Sequence, residues 1–422
     1  MIYALILFAL TYVLMLMFSK YRPIIALGSA AVFIATGMLP LNQIFDAIDF
    51  NVLFMIAGTM GLVQLFIDSH MPARLADIVM EHVHSVQMAA VALALFAGVI
   101  SAFVDNVATV LMVAPVGLAI CRKLKTNPVP FIIGIAVSSN LQGAATLVGD
   151  TTAIMLGSYA KMSFMDFFFY NGRPGMFFVV EAGAVFAALI LAWIFRKEKE
   201  RIEPASVRTE VTDYMPSILL TGTVVLLIIA SFIPEKPDIT NGVICMILMI
   251  VGLIYNLIKN RSLESVTGPL WAIDFETIGI LVGLFLIIGG INNMGVIDAA
   301  AAQLARLGGG NVFVLYTILV WGSVVISAFI DNIPYTATML PVVTGLASTL
   351  GISPTVLYFG LLSGATLGGN CTPIGASANI TGIGILRREG YEVSTGDFTK
   401  IGIPFTLAAV IPAYIYLWIA FA

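Results

Sequence analysis

Two aspartate–asparagine pairs lie inside apolar runs of this chain. The first sits in Ser101-Ala-Phe-Val-Asp-Asn-Val-Ala-Thr-Val-Leu-Met-Val-Ala-Pro115. The second sits in Ser327-Ala-Phe-Ile-Asp-Asn-Ile-Pro-Tyr-Thr-Ala-Thr-Met-Leu-Pro341. Each aspartate precedes a proline by ten residues, and the two copies are offset by 226. A carboxylate at the centre of a bilayer costs at least ~2.5 kcal/mol, so two at matching places mark a site. Asp105, Asn106, Asp331 and Asn332 offer the oxygens that a hard cation such as sodium takes. Thr109, Thr336, Thr338 and the flanking Ser101 add hydroxyls nearby. A hairpin tip would add free backbone carbonyls, because its helix ladder is interrupted. Helix capping, which Asp and Asn favour, is the plainer alternative, and one tip can serve both ends.

Each pair is followed by a polar, glycine-rich run, 138–152 and 363–379. Irregular backbone at membrane depth is tolerated only where protein or a cavity surrounds it. Freed amides at a half-helix start favour an anion and freed carbonyls a cation. Packing through small residues accounts for glycines such as Gly143. It does not account for Asn140, Gln142, Asp150, Asn370 and Asn379 together. Thr146 and Thr372 belong to the same candidate site. Asp150 has no acidic counterpart, since Ala376 stands at its place in the second run. It is a candidate proton carrier or cation ligand, because low dielectric favours a neutral carboxyl.

The elements that hold these residues must be membrane helices. The 422 residues are 59% hydrophobic and only 10% charged, against about 25% charged in a soluble domain. Many runs approach the roughly 20 residues that span a bilayer, so an all-α polytopic membrane protein is expected. Residues 2–18 lack a basic start and a cleavage site, and read as a retained first helix. No Walker A motif is present, which favours a coupled secondary transporter over an ATP-driven pump. Cys121, Cys245 and Cys371 show no pairing pattern. His70, His82 and His84 read as part of a solvated interfacial helix over 68–86 rather than a zinc site. Neither an enzymatic activity, a cofactor beyond a coupling Na+ or H+, nor a nucleic-acid partner is expected. The Phe164–Tyr170 cluster reads as an interfacial aromatic belt.

The plan occurs twice. Ile48-Asp-Phe50 matches Ile273-Asp-Phe275. Gly143, Thr146 and Gly149 match Gly369, Thr372 and Gly375 at the offset of 226. Residues 1–196 and 214–422 are therefore expected to form two repeats of about five transmembrane helices, each with a broken helix and an Asp-Asn run read as a re-entrant hairpin, two full crossings being the alternative that returns to the same side. A charged linker, 197–213, joins them at a surface containing Pro204. Placing Lys20 and Arg22 in the cytoplasm also places Arg74, Arg122, Lys123, Lys125, Arg196–Arg201, Lys259, Arg261, Arg387 and Arg388 there. Lys161, Lys236 and Arg306 are the exceptions. Each half then makes an odd number of crossings, so the repeats are inverted and both termini lie outside a cell membrane. Inverted repeats with broken helices and a midplane site are a common transporter plan.

The doubled Asp-Asn motif with its polar broken helix resembles the ion transporter superfamily. That group includes the arsenite permease, the NhaD sodium/proton antiporters, the pink-eyed dilution (P) protein and the divalent anion/sodium symporters. The motifs look most like those of the P protein and its bacterial relatives, and the similarity covers nearly the whole chain. In the dicarboxylate symporters a Ser-Asn-Thr stands at each tip and helps form sodium and substrate sites. Asp105-Asn106-Val107 and Asp331-Asn332-Ile333 stand at those positions here. Asn is kept, but Asp replaces Ser, which disfavours an anionic substrate unless a cation neutralises it. The resemblance implies a homodimer in lipid with a scaffold and a moving, elevator-type transport domain. The expected function is cation-coupled transport of a small anion or neutral oxyacid. A sodium/proton antiporter and, further off, a channel are the alternatives.

Overall fold

The structure, a computed structural model, describes residues 1–124, 126–198, 200–201 and 209–422. Lys125, Lys199 and Pro204, read above as parts of basic segments and the linker, lie outside the described residues. The chain is helical apart from a short hairpin pairing Phe169–Tyr170 with Arg173–Pro174.

The first half supplies α1 (Ile2–Met17), α2 (Arg22–Ala35), α3 (Ile44–Ala47), α4 (Phe50–Asp68) and α5 (Met71–Glu81). It continues with α6 (Val86–Ser101), α7 (Asn106–Leu124), α8 (Val129–Gly143), α9 (Thr151–Tyr159) and α10 (Met176–Ile194). The second half repeats the order. It begins with α11 (Met215–Ser231), α12 (Thr240–Asn260), α13 (Glu264–Trp271), α14 (Phe275–Asn293) and α15 (Val296–Leu307). It ends with α16 (Val312–Ser327), α17 (Asn332–Leu350), α18 (Thr355–Gly368), α19 (Ser377–Arg388) and α20 (Thr395–Phe421). The starts of α6–α9 recur 226 residues later at α16–α19.

Local chemistry sets these boundaries. Asp49 and Asp274 cap α4 and α14 by accepting from Val52 N at 3.1 Å and Thr277 N at 2.9 Å. Ser85 and Asn311 cap α6 and α16, as small polar side chains at a helix start do. Among the described residues six helices are long and apolar enough to cross a membrane, or seven if the bent pair α15–α16 counts as one. Other apolar helices are shorter, 10–17 residues. That is fewer full spans than the sequence reading counted. At about 1.5 Å per residue, α6, α8 and α9, of 16, 15 and 9 residues, are shorter than a full crossing, whereas α7 is one of the six.

Packing between the halves is reciprocal. α2 lies along α14, with Ala26 against Gly283 and Phe33 against Gly290. α12 lies along α4, with Cys245 against Gly58 and Met249 against Gly61. α10 packs on α20.

The helix ends sort into two faces. At the linker end, Val86 N donates to Glu200 O at 3.1 Å and Thr212 N to Ser69 O at 3.1 Å, and Lys259 pairs with Asp213 at 2.8 Å. The starts of α8 and α20 meet the end of α10 there, around Asn127, Arg196 and Lys400. At the far end, Lys161 pairs with Asp238 at 3.2 Å and Tyr170 meets Phe421. Arg122 pairs with Glu389, so α7 returns to the linker end from which α6 departs. α16 starts at the far end, where Phe313 meets Trp418. α17 ends there too, with Thr344 bonded to Tyr358 at 2.6 Å. The basic residues assigned above to one side that are described here share the linker end, whereas Lys161, Lys236 and Arg306 do not.

The aromatic cluster divides: Phe164 and Phe167 are buried in the core, whereas Phe169 is 53% exposed. A short 3-10 turn, Phe164–Phe167, is capped reciprocally by Ser163 and Asp166 and folds both rings into the core.

Candidate functional site

Each tip is built from the same parts. Residues 102–105 join α6 to α7, and 328–331 join α16 to α17. Thr146 Oγ1 donates to Ala102 O, and Thr372 Oγ1 donates to Ala328 O. A methyl group on Gly149 would stand 2.5 Å from Gly143 O and 2.7 Å from Ser101 O. One on Gly375 would stand 2.5 Å from Gly369 O and 2.8 Å from Ser327 O. The four glycines and two threonines thus dock each tip into the break of its own half's broken helix. Glycine is needed where backbone approaches backbone so closely.

The tips present helix N-termini with acidic caps. Asp105 Oδ1 accepts from Val107 N at 3.0 Å and Ala108 N at 3.1 Å. Asp331 Oδ1 accepts from Ile333 N at 3.1 Å. Capping and site formation coexist, because each cap uses one carboxylate oxygen. Asp150 precedes α9 and accepts from Thr152 Oγ1 at 2.8 Å, with no salt bridge recorded among the described residues.

A cavity of about 130 Å³ lies where these ends converge. Asp105, Asp150 and Asp274 line it, with Asn106, Asn332 and Ser377. No lysine, arginine or histidine is among the described residues that line it. Five helices, α7, α9, α14, α17 and α19, begin at its wall. Their partial positive ends face three carboxylates.

The two halves differ in what they leave unpaired. Asn106 Nδ2 donates to Asn140 Oδ1 at 3.1 Å. At the equivalent of Asn140 the second half has Thr366, whose hydroxyl bonds to that of Thr152 at 2.7 Å. Asn332 is 3% exposed and its Nδ2 has no protein partner. A buried donor left unmade is costly, and among the described residues that line the cavity Asn332 is the one with a buried side-chain donor left unmade. The first half and α14 supply acceptors, and the second tip supplies a free donor.

Of the residues singled out by sequence, Asp105, Asn106, Asp150 and Asn332 reach the cavity. The others support it from behind. Asn140 Nδ2 donates to Thr366 O at 2.7 Å and Asn370 Oδ1 at 3.0 Å, while Asn370 Nδ2 donates to Val137 O at 2.9 Å. Asn379 Nδ2 donates to Gly369 O and Thr372 O, both at 3.0 Å. Thr109 and Thr336 are buried. Ser101 is buried behind its tip and accepts from Ser139 Oγ at 3.1 Å. Gly143, Thr146 and Thr372 serve docking, as above. Asp331 is not the bare carboxylate expected: Arg22 Nη1 lies 3.4 Å from its Oδ2. The distance in sequence between α2 and the second tip hid that pair.

Asp274 was missed, although its repeat match to Asp49 was visible. Both its oxygens are held, Oδ1 by Thr277 N and Oδ2 by Thr277 Oγ1 at 2.6 Å. A second cavity, about 600 Å³, opens toward the far end beside Asp46, Asp49 and Asn51. The start of α4 lines this cavity and its later half lines the first. Among the described residues no cluster of His, Cys, Asp and Glu is arranged to hold a metal.

Six apolar spans around a small polar cavity define a predominantly helical, multi-pass membrane fold. The chain belongs to the citrate transporter family, CitMHS, whose model matches residues 12–266 and 242–422. It is 30% identical over 411 residues to an uncharacterized transporter of Mycobacterium tuberculosis, covering 96% of this chain and 94% of that one. It is 27% identical to the P protein of Sus scrofa over 99% of this chain and 59% of that protein. It is 26% identical to the human P protein, over 93% and 57%. Its fold is similar to the crystal structure of the YdaH transporter of Alcanivorax borkumensis, with a TM-score of 0.60, 17% identity, and 91% and 85% of the two chains covered. The resemblance to the ion transporter superfamily is borne out, and the family is one of transporters, not enzymes.

Proposed function

We propose that this chain is a cation-coupled secondary transporter that works by moving the tips and broken helices past the α2–α14 and α4–α12 pairs. The observation that carries this is the small cavity lined by three aspartates and by Asn332, whose buried amide is unpaired among the described residues. The carboxylates suit one or more Na+ or H+, and the amide suits a substrate oxygen. The family name points to citrate. A multivalent carboxylate meets repulsion from Asp105, Asp150 and Asp274 unless cations travel with it. A small anion so neutralised, or a neutral oxyacid, is therefore the substrate class. The second cavity at the other end of α4 supports alternating access. The unpaired carboxylates also favour a second reading, sodium/proton exchange with no organic substrate.

The experiment is flux into proteoliposomes with citrate, smaller carboxylates, phosphate and a neutral oxyacid, each with and without Na+ and pH gradients. Saturable uptake of one substrate that needs a cation gradient is expected. Sodium-driven proton movement without substrate would replace this with the antiport reading. Non-saturable flux linear in the gradient would indicate a channel.

We assign the linker end to the cytoplasm of a cell membrane, with both termini outside, re-entrant hairpins and inverted halves. The clustering of basic residues at that end supports this. In a background lacking native cysteines, Glu198→Cys should react with an impermeant maleimide only after the cells are opened. A thiol added at the carboxyl terminus should react in intact cells. A terminus reactive only in opened cells would defeat the inverted arrangement. A homodimer within lipid is part of the same proposal.

A further inference from the structure

Among the described residues the ion pair of Arg22 with Asp331 has no counterpart in the other half. Arg22 opens α2, and the residue that opens α12, its repeat partner, is Thr240. Asp331 is the repeat partner of Asp105, whose cavity has no base among its described lining residues. The Arg22 side chain is 23% exposed and that of Asp331 10%, so the pair is largely withdrawn from solvent. Arg22 Nε also donates to Met15 O at 3.3 Å, which ties the guanidinium to the turn between α1 and α2. Tyr12 on α1 grips the same tip, with its hydroxyl 2.7 Å from Pro334 O and bonded to Thr338. α17 packs on α14, whereas α7 meets α4 more lightly. The second tip is therefore fastened to the α1–α2–α14 group, and the first tip is not fastened in the same way to its counterparts.

We propose that Arg22 is a tethered counter-ion for the second tip, so that this conformation needs no soluble cation at Asp331 and the opposite one does. The proposal rests on the two-state transporter reading above. When the tips move toward the other end, Asp331 leaves Arg22 and its charge needs a coupling cation. Asp105 then approaches the start of α12, where Thr240 offers no charge in return. Movement of the unloaded second tip is thereby disfavoured, which couples crossing to cation binding. Arg22 acts through Asp331 and is a positioning residue. It does not line the cavity.

The test reads conformation without substrate, so its outcome is separate from that of the flux assay. In the full chain, with native cysteines replaced, Ala108→Cys reports on the first cavity, which the linker-end half of α4 lines, and Ala337→Cys on the far-end cavity. Maleimide labelling rates are compared in detergent without Na+ and substrate. Arg22→Gln should lower the 108:337 rate ratio roughly fivefold, the scale of a partly buried ion pair. Arg22→Lys keeps the charge and should restore much of the ratio. Thr240→Arg supplies the missing partner for Asp105 and should shift the ratio in the same direction as Arg22→Gln. If Arg22→Gln does not fold, Thr240→Arg alone decides. An unchanged ratio in a folded Arg22→Gln protein, or in Thr240→Arg where it decides, would overturn the proposal.

Discussion

Asp105→Asn is expected to reduce transport roughly a hundredfold, the scale of losing one charge-assisted contact to a bound coupling cation. The protein should remain folded. Asn keeps an oxygen that can accept from Val107 N and Ala108 N, the two bonds Asp105 makes as a cap. Asn and Asp cap helices about equally, so a capping role alone predicts little change. What Asn removes is the negative charge facing the cavity shared with Asp150 and Asp274. Initial rates across a cation titration in proteoliposomes, with melting in detergent as the folding control, separate the two. Near-native flux with native cation dependence would leave Asp105 a cap and nothing more. Loss of flux with an unchanged melting temperature would assign it to the ion site. Asp331→Asn is a weaker test, because Arg22 already meets that charge in this conformation.

Gly149→Ala and Gly375→Ala should each destabilise the protein by about 3 kcal/mol or more, at the upper end of what overpacking costs. The new methyl group would meet three backbone oxygens at once. They are Gly143 O, Ser101 O and Ala102 O in the first half, and Gly369 O, Ser327 O and Ala328 O in the second. Backbone oxygens cannot swing aside as a flexible side chain can, so the tip must lift from the broken helix. Thermal unfolding in detergent, followed by size-exclusion profiles, reads this. Gly222→Ala, where a methyl group has nothing within 4 Å, is the matched control. Equal melting temperatures for Gly149→Ala and Gly222→Ala would remove the docking account.

Much of the architecture was legible because membrane insertion leaves a coarse signal. Long apolar runs, basic ends and a repeat offset of 226 each report on backbone placement, and lipid permits few alternatives to helix. The Asp-Asn pairs stood out for a related reason, since ionisable groups in such runs are costly. The structure keeps the all-helical, multi-span assignment, and the starts of α6–α9 recur at α16–α19 at that offset. The candidate site was legible in part. Asp105, Asn106, Asp150 and Asn332 reach the cavity. Asn140, Asn370 and Asn379 serve instead to satisfy buried backbone and one another. Polarity in a broken run marks unmet backbone groups as readily as it marks a ligand, and sequence alone does not separate the two.

The sequence by itself determined the helices, their breaks, the duplication and the chemical type of the tips, because each depends on residues close along the chain. Tertiary structure decided which polar groups remain free. Asn106 is matched by Asn140 while Asn332 is not, although the two asparagines are repeat partners. Asp274, capping α14, joins the cavity from a stretch that sequence read only as a repeat marker. Arg22, placed by sequence only as a cytoplasmic charge, reaches Asp331 across 309 residues of chain. Such pairings turn on a few ångströms between distant segments, and charge and hydrogen bonding fall off too steeply with distance for spacing along the chain to reveal them.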